Sequence, residues 1–309
     1  MAAQLRVYRS RMRSVQATKQ ITRAMELIAA SRIIKAQQRS RAAAPYARAI
    51  TRAVSALYAF SDTDHPLTTE RPEIRRSAVL IVTSDRGLAG GYSSSVLRES
   101  ERVIAAMRSD GKQVDVYLSG RKAIAFYAFR NREYTKSWAG NSDEPTFDTA
   151  EEMGTLLVES FLAGGNGAGV DEIVIVFSRF VSMVTQEPEV IRLLPVEVVE
   201  DVAEVGGSDG RGAEHSPLPL YDFEPGVETV LDALMPQYIQ SRVYSCLLSA
   251  AASELASRQR AMKSATDNAE ELIRGLRRKA NAARQGEITQ EISEIVGGAD
   301  ALASSGTSD

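Results

Sequence analysis

Residues 3–60 contain no glycine and a single proline, Pro45. Ala, Arg, Gln, Leu and Met dominate, residues that give up little on entering a helix. The stretch therefore reads as one helix, far longer at about 1.5 Å per residue than a compact domain needs. Its apolar positions run Leu5, Tyr8, Met12, Val15, Thr18, Ile21, Met25, Ile28, in steps of three and four. Two successive threes at Val15–Thr18–Ile21 predict local overwinding of a coiled-coil seam. Pro45 lacks a backbone donor and predicts a bend or an end near Ala44. Residues 226–299 read as a second long helix with a break expected at Pro236. Its stripe is Leu255, Arg258, Met262, Ala265, Ala269, Leu272, Leu276, Ala280 and Ala283, then Ile288, Ile292 and Ile295. The many alanines allow a partner helix close, and Gly297-Gly298 predicts a stop. Neither helix is apolar enough all round to be a core helix, so the two ends of the chain are expected to pair as an antiparallel coiled coil.

The middle follows another rule. Ser77–Thr83 is a β-branched run that reads as a buried strand, followed by a helix over 94–109, a strand over 114–118 and a helix over 120–129. A strand over 134–138, a helix over 149–162, a strand over 172–180 and an extended segment to Val199 complete it. Strand and helix in alternation predict a doubly wound, mostly parallel sheet. The expected fold class is thus α/β: a long antiparallel coiled coil with an inserted doubly wound, Rossmann-like domain. The boundaries are 1–60 for the N-terminal shaft helix, 61–225 for the α/β domain, 226–299 for the C-terminal shaft helix and 300–309 for a frayed tail. The Gly-rich loop 164–169 and the linker 203–219 interrupt the pattern.

The net charge of −3 hides a segregation. Residues 1–60 hold twelve basic residues and one acid, Glu26, whereas residues 61–225 hold sixteen basic and twenty-eight acidic. The C-terminal helix is balanced. A first helix at +11 seeks an acidic partner: nucleic acid, anionic lipid or an acidic protein loop. No apolar run approaches the roughly 20 residues that span a bilayer, and the first residues lack the apolar core of a secretory signal.

Chemistry is thinly represented. One cysteine, Cys246, excludes an intrachain disulfide and fits a reducing compartment; it sits in an apolar helical stretch and reads as core. Two histidines, His65 and His215, cannot build a multi-His metal site. Ser84–Tyr92, with glycines at 87, 90 and 91, lies between a strand and a helix, where a phosphate loop would lie, yet it is neither G-x-G-x-x-G nor a Walker loop. It reads as a phosphate site or as a tight turn. No carboxylate pair converges with a histidine or serine. The basic helix leaves a nucleic-acid-binding coiled coil as the alternative function, with steep salt dependence; its apolar seam and few aromatics argue against it.

Four blocks resemble one family. Ile21–Ser31 (ITRAMELIAAS), Ser84–Tyr92 (SDRGLAGGY), Ala261–Ala269 (AMKSATDNA) and Ile288–Ala299 (ITQEISEIVGGA) are similar, in order, to motifs of the gamma subunit of F-type ATP synthases. The departures are Ala89 where the family often has Cys and Ser93 where it often has Asn. The longer loops resemble actinobacterial members. The resemblance implies a central rotor shaft that carries torque from a membrane ring of c subunits to the catalytic hexamer during ATP synthesis, regulating activity and proton flow. It implies no catalysis by this chain, no cofactor and no metal. The implied partners are the alpha and beta subunits of the hexamer, the epsilon subunit and the c ring, with no nucleic acid. The implied location is peripheral, on the cytoplasmic side of the cell membrane, reached only through partners. Motif matching gives contact candidates for the catalytic subunits: Lys19, Arg23 and Met25 on the first helix, and Arg258, Arg284, Gln285, Thr289, Gln290 and Glu291 on the second. Arg258, Arg284 and Gln285 are the foremost of these, while Thr289 and Glu291 flank seam isoleucines and could equally brace the coiled coil.

Overall fold

The computed structural model describes residues 2–60, 66–69, 71–164, 169–196 and 226–305. His65, His215, the linker 203–219, residues 165–168 of the Gly-rich loop and the last four residues lie outside them. The elements run α1 (Ala2–Phe60), β1 (Arg76–Val82), α2 (Tyr92–Ser109), β2 (Gln113–Ser119), α3 (Arg121–Phe129), β3 (Lys136–Trp138), α4 (Phe147–Ala163), β4 (Glu172–Phe180), β5 (Gln186–Leu194) and α5 (Val227–Ser305). The chain divides into two compact units, residues 29–258 and residues 1–28 with 259–309.

In the α/β unit the sheet order is β3-β2-β1-β4-β5. The first four strands are mutually parallel, and β5 pairs antiparallel with β4. β1 explains why: Ser77–Val82 are all buried, so both faces of the strand are covered and its sequence reads as an unbroken apolar run. Side chains alternate between those faces. Ala78, Leu80 and Val82 join a cluster with α1 (Val54, Leu57), α4 (Met153, Leu157, Phe161) and α5 (Leu231–Ala250). Val79 and Ile81 join another with α2 (Val96, Ile104), α3 (Ala123, Tyr127) and β2. A third cluster packs Ile33 and Ala36 of α1 against Ala252, Leu255 and Ala256 of α5. Gly120 marks the turn from β2 into α3. Its φ is +97°, and a Cβ there would come within 2.3 Å of the Thr83 carbonyl oxygen, so only glycine fits.

Three local expectations are corrected. Pro45 neither ends nor replaces α1, which continues to Phe60; Pro45 lies on the exposed face, where water can take up the carbonyl its missing donor frees. α5 likewise continues through Pro236. It also runs on past Gly297-Gly298 to Ser305, because the Ala-Asp-Ala-Leu-Ala that follows favours helix. The extended segment expected up to Val199 includes β5, which ends at Leu194, and residues 197–199 lie outside the described residues.

Candidate functional site

The unit of residues 1–28 and 259–309 is a pair of helical segments whose seam keeps regular steps of three and four. On α1 the half-buried or buried positions include Leu5, Tyr8, Met12, Val15, Lys19, Thr22 and Glu26, with Met25 beside the last. On α5 they include Met262, Thr266, Ala269, Ile273, Leu276, Ala280 and Ala283. The seam does not run through Val15–Thr18–Ile21 as expected, but through Val15, Lys19 and Thr22. Thr18 faces solvent, and Ile21 and Ile28 are 61% and 53% exposed. Two of the polar residues that the stripe draws in, Lys19 and Thr22, find partners across the seam. The Thr22 and Thr266 hydroxyls share a hydrogen bond of 2.8 Å. Lys19 Nζ lies 2.5 Å from Glu270 and holds that carboxylate below its ordinary range. On α5, Leu272 is 56% exposed and Ile273 takes the seam position instead.

The cross-seam pairs fix the antiparallel register. The numbers of paired residues add to 288 or 289, so the start of α1 at Ala2 falls opposite residues 286–287 of α5. Beyond that point α5 has no facing partner among the described residues. The overhang carries Ile288, Ile292, Ile295 and Val296, exposed by 47%, 55%, 71% and 54%, although the first three were expected in the seam. Contiguous exposed apolar residues of this kind mark an interaction surface.

The contact candidates are thereby sorted. Arg23 is exposed and donates to both oxygens of Glu26 at 2.9 Å. Lys19 and Met25 are half-buried. Arg284, Gln285, Thr289, Gln290 and Glu291 are all exposed; Thr289 donates to the Gln285 carbonyl and Gln290 to Glu294. Arg258 differs from the others. It belongs to the α/β unit, is 6% exposed and is engaged internally. Its Nη2 donates to Glu254 Oε1 at 2.6 Å and to the Arg86 carbonyl at 3.3 Å, and its Nε to the Gly87 carbonyl at 3.5 Å. Burial pushes the Glu254 carboxyl up, and Arg258 and Ser142 only partly offset that. Tyr92, buried beside this pair, is pushed well above its ordinary value by burial and by Glu254.

This arrangement favours the turn reading of Ser84–Tyr92. The Asp85 carboxylate braces the turn by accepting the backbone N–H groups of Arg121 at 3.1 Å, Gly140 at 2.9 Å and Ser142 at 2.9 Å. The loop's carbonyls face Arg258. A cavity of about 170 Å³ beside it has Asp85 and Glu152 on its wall, the wrong sign for an anion. The loop is a turn. Cys246 is core as expected, its thiol pushed to about 12 by burial. Sequence reasoning passed over Glu254, Arg32, Arg39, Asp143 and Glu144, which form ion pairs within the α/β unit. One signal was available: Glu254 stands in the small, largely apolar run 250–256 (AAASELA), and a glutamate inside such a segment requires a cation one turn away.

Comparison with known proteins gives a consistent result. A family model described as ATP synthase matches residues 4–302. An ATP synthase gamma chain of Kineococcus radiotolerans is 64% identical over 99% of both chains. One of a Nocardioides species is 59% identical over 98% of both. Among solved structures, a chain of the Euglena gracilis mitochondrial ATP synthase (OSCP/F1/c-ring) aligns with a TM-score of 0.67 at 16% identity, over 100% of this chain and 98% of that one. A chain of the Tetrahymena thermophila central stalk and c ring aligns with a TM-score of 0.56 at 22% identity, over 79% and 99%.

Proposed function

The chain belongs to the ATP synthase gamma chain family, and from that membership we propose how its residues do the family's work. It is the central rotor shaft of ATP synthase. It carries torque between the membrane rotor ring and the catalytic hexamer, and so regulates activity and proton flow. Shaft angle acts as a ligand does, favouring in each catalytic subunit the conformer that fits it. The observation that carries this reading is the 64% identity to a gamma chain over 99% of both chains.

The finer assignments are inferences. The chain does no chemistry itself: at the strand ends where an α/β enzyme would bind substrate, Asp85 and Arg258 are engaged with this chain's own groups. Its partners are the alpha and beta subunits around the helix pair, with the epsilon subunit and the c ring against the α/β domain. Lys19, Arg23, Met25, Arg284, Gln285, Thr289, Gln290 and Glu291 meet the catalytic subunits, and the overhanging isoleucines supply the apolar part of that contact. Arg258 leaves the contact set because it is buried. Exposed charges attract an acidic loop at range while forming few fixed bonds, which suits a surface that must slide. Among the described residues no helix is long and apolar enough to cross a membrane, which supports peripheral attachment through partners; the cytoplasmic face is the side we assign. The nucleic-acid alternative is unsupported, because the relatives are gamma chains and Lys19, Arg23, Arg32 and Arg39 of the basic helix are engaged with carboxylates of this chain.

Native mass spectrometry of complexes extracted from membranes tests the reading. The chain is expected in one copy with ATP-hydrolysing subunits. Recovery as a partner-free protein contradicts it.

A further inference from the structure

Two loops at the carboxyl ends of the parallel strands, residues 84–91 after β1 and 139–146 after β3, carry directed polar contacts to each other and to both long helices. They are tied to each other reciprocally. The Asp85 backbone N–H donates to Ser142 Oγ at 2.8 Å, while the Asp85 carboxylate accepts from the Ser142 and Gly140 N–H groups at 2.9 Å. Each loop is also tied to a long helix. Loop 84–91 presents the Arg86 and Gly87 carbonyls to Arg258 of α5, itself held by buried Glu254. Loop 139–146 presents Asp143 to Arg32 and Glu144 to Arg39, both on α1.

The same helices also touch the sheet through apolar clusters. Apolar packing is strong but non-directional, so it resists separation better than it resists sliding. Ion pairs and hydrogen bonds fix angle and offset as well as distance. We propose that these two loops, with Arg32 and Arg39 of α1 and Glu254 and Arg258 of α5, form the joint through which torque passes between the α/β domain and the long helices. The proposal rests on the rotor reading. It gives a mechanical use to the strand ends at which other doubly wound folds bind ligands.

The test uses the complete enzyme in liposomes. Arg32 and Arg39 are suited to it because both side chains are about two-fifths exposed (43% and 40%), and surface substitutions of this kind rarely unfold a protein. Angular fluctuation is measured for a probe on the α/β domain while the hexamer is stalled without ATP. Proton pumping per ATP is measured against an imposed gradient. The Arg32→Gln/Arg39→Gln variant is expected to show a broader angular distribution and a loss of pumping per ATP, with hydrolysis unchanged when no gradient opposes it. Arg39→Glu paired with Glu144→Arg is expected to recover much of the stiffness that Arg39→Glu alone removes, a recovery that loss of a merely structural side chain does not give. A parent enzyme that rotates, with an assembled variant of unchanged stiffness and pumping, overturns the joint alone. A parent that does not rotate overturns the rotor reading and the joint together.

Discussion

Glu254 is 1% exposed and depends on Arg258, one helical turn further along α5. Burial raises the folded-state pKa of Glu254 above its ordinary value, and Arg258 lowers it. A carboxyl with a raised folded pKa contributes stability that is fully present below its unfolded pKa and lost as pH rises through the folded value. Arg258→Met removes the chief lowering influence and leaves a buried carboxylate without its cation, a change that costs about 3–5 kcal/mol at neutral pH. The deficit is expected to shrink as pH falls and Glu254 takes up a proton. Adding Glu254→Gln at neutral pH is expected to recover part of it. Denaturant unfolding of the isolated chain at neutral and mildly acid pH measures both, and a deficit independent of pH contradicts the assignment. Arg258 also shows where residue-level reading of the sequence stops. Its position in a helical stripe is visible, but whether that stripe faces a partner chain or the chain's own strand-end loops depends on loops far away in sequence.

At the scale of elements, β1 and β4 were legible because they are buried on both faces. β4 was read over its full extent, and β1 was displaced by one residue. The long helices were legible from their lack of glycine. Their seam was read less well, since choosing the most apolar residue at each turn selected Ile21 and Ile28, whereas the structure keeps the regular spacing and accepts Lys19, Thr22 and Glu26. A polar layer of this kind specifies register at some cost in stability. Thr22→Val leaves the Thr266 hydroxyl its bond to the Met262 carbonyl, so each single substitution is expected to cost only about 0.5–1.5 kcal/mol. Thr22→Val with Thr266→Val is expected to retain much of the stability but to lose uniqueness of register. Distance measurements between spin labels on α1 and α5 read this directly: a broadened or double distribution is expected, and one narrow distribution identical to the parent's contradicts it.

At the scale of the whole molecule, a net charge of −3 divides into a strongly basic first helix and an acidic middle. That division was visible in sequence; what the basic helix spends its charge on was not. Among the described residues four of its cations pair with carboxylates of the chain itself. The overhang of α5 was also invisible, because it depends on the register that Lys19–Glu270 and Thr22–Thr266 impose. The most direct measurement is single-molecule observation of a probe fixed to an exposed site of the α/β domain in the assembled enzyme, with the catalytic hexamer anchored to a surface. On addition of ATP the probe is expected to turn in one direction in discrete steps, and to stop when ATP is exhausted. A probe that stays still while the same complexes hydrolyse ATP contradicts the rotor assignment.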